Sequence, residues 1–254
     1  MKYKLATPWT VIASIVILSL LSFAPSVLAD TPKTIAVLYF ENNSVVDKDN
    51  LDPLKKGLAD MMITEMSKIK GLKVVERQRI QSIIDELNLS ETDMIDNAST
   101  QKMGKLLGAQ VMLFGGFSNL FNDKFRIDIR IVRTETGETL KAEEETGELD
   151  EFLTMLQSLV KKIAKDLDVK LTSDDMDRLE ATRDGEFKGY VTFAKALQFE
   201  DEGKKFERQG MKSDAKNSFE SARTMYQKAW DESDGYEPAK SKAEEMSAHI
   251  MKLK

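Results

Sequence analysis

Between Lys124 and Val132 the residues Phe125, Ile127, Ile129 and Ile131 alternate with Arg126, Asp128 and Arg130. A period of two sends the four apolar side chains to one face of a strand and the charges to the other, so this segment requires a sheet with one covered and one wet face. The run Lys33 to Phe40, KTIAVLYF, is almost continuously apolar instead, the pattern of a strand buried on both faces. A chain holding both patterns needs helices over one part of its sheet and water over another. That points to an α/β (α+β) class.

The segments between fit this reading. Leu51, Leu54, Leu58, Met61, Met62, Met66 and Ile69 recur at three- and four-residue spacing, one apolar stripe on a helix expected to stop at Gly71. Leu72 to Val75 reads as a second strand, followed from Arg77 by a helix carrying Ile80, Ile83, Ile84 and Leu87. A helix from Ser99 to Leu107, ended by Gly108, leads into an apolar strand over Gln110 to Phe117, where Gly115 and Gly116 suggest a bulge. Asn122-Asp123 and Thr136-Gly137-Glu138 read as turns, and the charged stretch Thr139 to Glu148 as an edge strand kept from sticky pairing by its charges. A helix over Asp150 to Leu167, with Phe152, Leu156, Leu159, Val160 and Ile163 along one side, is expected to cover the sheet.

Residues 172–185 are charged and lack apolar period, a linker or polar helix-turn. Residues 186–254 are helical in pattern. Tyr190, Val191, Ala194 and Leu197 mark one helix, Ala215, Phe219, Ala222, Tyr226, Ala229 and Trp230 a second, and Pro238 opens a third. The expected organisation is residues 1–29 as a leader, 30–171 as the α/β domain, 172–185 as the linker and 186–254 as a helical module.

The leader has a basic start at Lys2 and Lys4, an apolar core from Val11 to Leu21 and a small-residue exit at Val27-Leu28-Ala29, the layout of a secretory signal peptide cleaved after Ala29. Its core is shorter than a bilayer span, and the rest of the chain offers no apolar stretch of that length. The expectation is export to the periplasm, with outer-membrane association and a retained leader as alternatives, and membrane contact at most peripheral. Losing the two leader lysines takes the net charge from −6 to −8, which argues against a nucleic-acid partner. The chain has no cysteine, so neither a disulfide nor a lipidated cysteine is available to it. With 31% charged and 41% hydrophobic residues, the body is expected to be globular rather than disordered.

Ile35 to Phe40 with Asn42-Asn43-Ser44, then Val74-Val75-Glu76-Arg77, then Gly104-Lys105-Leu106-Leu107-Gly108-Ala109-Gln110, then Thr136-Gly137-Glu138 together resemble the CsgG family, which includes the curli secretion channel component and whose fold is similar to the TolB amino-terminal domain. The resemblance covers about Thr31 to Leu171. It implies a periplasmic α/β domain engaged in envelope assembly or secretion, often oligomeric, and no catalytic residues. The channel component is a lipoprotein with long amphipathic hairpins, whereas Glu143, Glu144 and Glu145 stand in a row on the expected partner of the alternating strand and cannot face lipid. The helical tail resembles a degenerate tetratricopeptide repeat through Phe219-x-x-Ala222, Tyr226-x-x-Ala229 and Asp234-x-Tyr236-x-x-Ala239. Such a hairpin cannot bury its face alone and must pack on the first domain, on a copy of itself or on a partner.

One histidine, His249, and no cysteine leave a nucleophile-and-base triad without material. The carboxylates at Glu143 to Glu145 and at Asp174, Asp175 and Asp177 lie in charged runs, the pattern of a solvated face rather than of acid-base chemistry. Asp47, Asp49 and Asp52 lack the glycine and the twelfth-position glutamate of a calcium loop, and no glycine-rich phosphate loop is present. No catalytic, cofactor or metal site is therefore assigned. The candidate partner-contact residues are Asn42 and Asn43, in a loop at a strand's carboxyl end, and Tyr226, Trp230 and Tyr236 in the tail. The resulting expectation is a non-enzymatic assembly or interaction factor in envelope biogenesis or secretion, its partners envelope or secretion proteins, with self-association a further candidate. The alternatives are an oligomeric secretion-channel subunit and an unrecognised periplasmic enzyme.

Overall fold

A computed structural model of the chain describes residues 31–89, 97–121, 124–181 and 185–253. The leader and the Asn122-Asp123 turn lie outside the described residues. From Pro32 to Lys254 the chain forms one compact unit. Among the described residues no helix is long and apolar enough to cross a membrane.

The elements run β1 (Lys33–Asn42), α1 (Lys48–Leu51), α2 (Leu54–Ser67), β2 (Leu72–Val74), α3 (Arg77–Leu87), α4 (Asn97–Leu107), β3 (Val111–Asn119), β4 (Lys124–Arg133) and β5 (Thr139–Glu148). Beyond β5 come α5 (Phe152–Asp166), α6 (Ser173–Glu180), α7 (Phe187–Arg208), α8 (Lys212–Glu232) and α9 (Glu237–Lys252). The sheet order is β2-β1-β3-β4-β5. β1 is parallel to β2 and β3, and β3, β4 and β5 are antiparallel in turn.

The chain steps from β1 to β2 in one direction and from β2 back past β1 to β3 in the other, so right-handed crossovers put α2 and the α3–α4 pair on opposite faces. Ile35 to Phe40 are consequently all buried, as the continuous apolar run requires. On β4 Phe125, Ile127, Ile129 and Ile131 are buried on one face, where Phe125 meets Phe152 of α5, while on the other face Val132 is buried and Arg126, Asp128 and Arg130 are not. β5 is the edge strand expected from its charges.

Two details differ from the sequence reading. Pro53 separates α1 from α2, so the Leu51 to Ile69 stripe is carried by two helices, although each of its seven apolar residues is buried. The bulge lies in β1, between Val37 and Phe40, while β3 pairs with β4 without interruption through Gly115 and Gly116. Gly115 is needed for close approach, since a Cβ there would stand 1.8 Å from the Asp128 carbonyl oxygen. The Gly137 turn behaves as read, with φ of 71° between β4 and β5.

The stretch between the sheet and the tail is more structured than a linker. α6 begins in a capping box, the Thr172 hydroxyl accepting from the Asp175 amide at 3.2 Å and the Asp175 carboxylate accepting from the Thr172 amide at 2.9 Å. Asp175 also accepts from the Lys70 amide at 3.2 Å, which ties α6 to the loop ahead of β2.

The helical tail takes the first of its three expected destinations and packs on the sheet-bearing part of the same chain. α7 lies against α2, where a Cβ on Gly57 would be 2.3 Å from that of Ala194. Rings run in unbroken contact from β3 into the tail: Phe117, Phe125, Phe152, Tyr190, Tyr236, Phe193 and Tyr226, successive centroids 5.2 to 5.6 Å apart. One apolar core therefore includes both parts.

Candidate functional site

Where α7 meets α2 and α3, charged side chains are buried together. Arg77, at the first position of α3, is 2% exposed; its Nε donates to Asp60 at 3.0 Å and its Nη1 to both oxygens of Asp201 at 2.9 and 3.0 Å. Glu200, wholly buried, accepts from Tyr226 Oη at 2.5 Å, from Lys242 at 3.3 Å and from Lys204. Burial pushes the pKa of Glu200 up, but Lys242, Lys204 and Arg77 outweigh it and hold the carboxyl at about 2. Burial raises the pKa of Asp60 against the pull of Arg77. Lys242 from α9 and Tyr226 from α8 reach Glu200, while Arg77 from α3 joins Asp201 to Asp60 on α2, so the cluster fastens five helices to one another through two neighbouring carboxylates on α7.

Sequence reading missed this cluster, because a lone arginine at a helix start and the acidic run Glu200-Asp201-Glu202 both look solvated. A signal existed. The stripe Tyr190, Phe193, Ala194, Leu197 continues at the same spacing into Glu200, which therefore points inward.

The second feature is the carboxyl end of β1 and β3. Asn43 N donates to the Phe117 carbonyl at 2.8 Å and Val45 N to that of Asn119 at 3.1 Å, so the loop after β1 prolongs its pairing with β3. Asn42 is buried; its Nδ2 donates to the Lys48 carbonyl at 2.8 Å and its Oδ1 accepts from Ser44 N at 3.1 Å. Ser44 Oγ in turn accepts from Asn119 N at 3.0 Å. This internal polar lattice holds Val45 at 62% exposure and, two residues past Asn119, Phe121 at 68%. Asp47 accepts from Asn50 at 2.6 Å and Asp52 pairs with Lys55 at 2.9 Å.

The five candidate contact residues are thus divided. Asn43 is exposed and Trp230 half-buried, with Lys240 Nζ 5.2 Å above its ring. Asn42, Tyr226 and Tyr236 are interior: Asn42 orders the tip, and the two tyrosines belong to the ring ladder, so they present no surface to a partner. An aromatic at helical spacing looks the same in sequence whether it faces a partner or a neighbouring helix.

Residues 21–121 match the family described as curli production assembly/transport component CsgG. A protein of Rhizobium meliloti (strain 1021) described as putative adenylate cyclase 3 is 26% identical over 163 residues, 62% of this chain and 26% of that protein, so the chain spans about a quarter of its length. Among solved structures, the LpoB C-terminal domain from Salmonella enterica is similar at a TM-score of 0.33 and 16% identity, over 56% of this chain and 99% of that one. Lipoprotein GNA1162 from Neisseria meningitidis is similar at 0.37 and 15%, over 56% and 100%. The motifs from Ile35 to Gln110 that suggested the resemblance fall inside the matched span, and Thr136-Gly137-Glu138 lies beyond it.

Proposed function

We propose that the protein is a non-enzymatic assembly or interaction factor of the bacterial cell envelope, exported to the periplasm, that meets its partner through the tip formed by Val45, Val46 and Phe121. The observation that carries this reading is the exposure of those three apolar side chains on two loops bonded to each other through Asn119. Single exposed apolar residues are ordinary, but a group held in water by a buried hydrogen-bond lattice is a preorganised contact surface. The CsgG description, an assembly and transport component, supplies the envelope context.

The test places a photo-crosslinking residue at Phe121 in the full chain in its own cells, with and without the double substitution Val45→Asp, Val46→Asp. An envelope protein captured at Phe121 and lost in the double variant, with melting unchanged, is the expected result. Absence of any crosslinked species overturns it. A ring-sized particle stable only in detergent would replace it by the channel-subunit reading, and turnover in an adenylate cyclase assay would refute the non-enzymatic one.

A further inference from the structure

Beyond the tip, Met251 at 63% and Met211 at 43% are, with Leu106, the described large apolar side chains most open to water. Both methionines belong to one end of the helical tail. His249 Nε2 lies 3.0 Å from Glu207 Oε2 and its ring meets that of Phe219 at 4.7 Å, which brings the end of α9 to the end of α7 and the start of α8. Met251 follows His249 by two residues and Met211 follows Glu207 by four. Half-buried Phe206, Ile250 and Leu253 lie at the same end, packed on the core. Methionine is unbranched and polarisable, which suits an adaptable contact.

This end and the tip differ in charge. Asp47 and Asp49 are exposed on the loop after β1, and Asp150 and Glu151 follow β5, whose Glu148 pairs in register with Lys124 next to Leu120. These four carboxylates form no ion pair among the described residues, and Lys48 alone opposes them on the loop. At the tail end Lys205, Lys212 and Lys252 are exposed and likewise unpaired among the described residues, with Asp214 opposing them. In a chain whose net charge is −6, a positive end is the exception. Each apolar patch therefore carries the charge that attracts the other.

The two patches cannot meet within one chain. Phe187 at the start of α7 packs on Phe125 and Phe152, ring centroids 5.3 and 5.1 Å away, and Phe125 pairs with Asn119, two residues before Phe121. The 22 residues of α7 then carry the chain about 33 Å from there to the end that bears Met211.

We propose that the tip of one copy docks on the tail end of a second, Val45, Val46 and Phe121 lying against Met211 and Met251 and the tip carboxylates facing the lysines. This rests on the contact role of the tip and names its partner. The contact joins unlike surfaces, so every added copy leaves one patch of each kind free, and assembly continues until a ring closes or a filament grows.

The test is sedimentation velocity on the full chain without detergent. The parent mass is expected to rise with concentration and to fall back as salt is added. A chain with Asp49→Lys and Asp150→Lys, and another with Lys212→Glu and Lys252→Glu, should each run singly, since like charges then meet. Their one-to-one mixture should associate again, because every unlike pair brings opposite charges together, a recovery that a misfolded variant could not give. Two results of this experiment overturn the proposal: a parent that keeps the mass of one chain up to about 1 mM, or a mixture no heavier than its components. Crosslinks from Phe121 that map only to other envelope proteins also overturn it while leaving the tip a contact surface, whereas the absence of any crosslink removes both readings.

Discussion

Arg77 and Arg126 are both arginines between two carboxylates, and they do different work. Arg77 bonds Asp60 and Asp201 at 2% exposure, whereas Arg126 bonds Asp128 at 2.6 Å and also Glu144 on the wet face of β4 and β5, at 38% side-chain exposure. Both guanidinium pKa values are raised. For Arg77 burial works against the rise and Asp201 and Asp60 outweigh it, while for Arg126 the hydrogen bond with Asp128 leads. The difference lies in what each pair would lose. Separating the buried ions leaves charges without water, whereas separating the exposed ones returns them to it. The Arg77 pairs therefore join helices to one another inside the core, while the Arg126 pairs lie across the charged face of β4 and β5.

The broadest way to break that comparison is to remove the tail. Deleting Gly185–Lys254 strips the ring contacts of Phe187 with Phe125 and Phe152, uncovers the α2 surface around Gly57 and leaves Arg77 without Asp201. The expected product has no cooperative thermal transition by circular dichroism. A truncated chain that melts as sharply as the parent, and close to its temperature, would show that the buried cluster joins two self-sufficient parts.

The sheet-bearing part was legible in sequence because its signals are local. Alternation at Phe125 to Ile131, the apolar run at Ile35 to Phe40 and the charges of β5 each report on their own strand's surroundings. The union with the tail was not legible, since it depends on residues far apart in sequence whose types also suit solvent: Arg77 with Asp201, and Glu200 with Lys242. Tyr226 and Tyr236 illustrate the same limit from the apolar side. Their helical spacing requires a covered face, but only the packing of α7 between α2 and α8 shows that this chain itself provides the cover.

A smaller effect comes from Glu200. Its carboxyl titrates near 2 in the folded chain against 4.5 ordinarily, so its ionised form stabilises the fold above about pH 4.5, and that contribution is lost as pH falls from there towards 2. The shift corresponds to about 3 kcal/mol. Asp60 and Glu65 have the opposite sign, their pKa values raised by burial, so their protonation over the acid range favours the fold and masks part of the loss. Comparison with Glu200→Gln removes that background. The variant should be less stable near neutral pH by about 3 kcal/mol in denaturant unfolding, and the deficit should close as pH falls towards 2. A deficit independent of pH would mean that Glu200 acts by shape rather than by charge.

The smallest effect is expected on the wet face, and it decides whether the contrast is one of burial or of geometry. Arg126 has the shorter carboxylate contacts of the two arginines, so an account based on bond length alone ranks it above Arg77. Exposure reverses the ranking, because water replaces a lost partner on the surface and salt screens the pair. Arg126→Ala should leave the midpoint of denaturant unfolding within measurement scatter at moderate salt, with any small loss shrinking further as salt is raised. A loss that persists at high salt would mean that the β4–β5 face is covered in solution, and that its charges belong to an interface rather than to water.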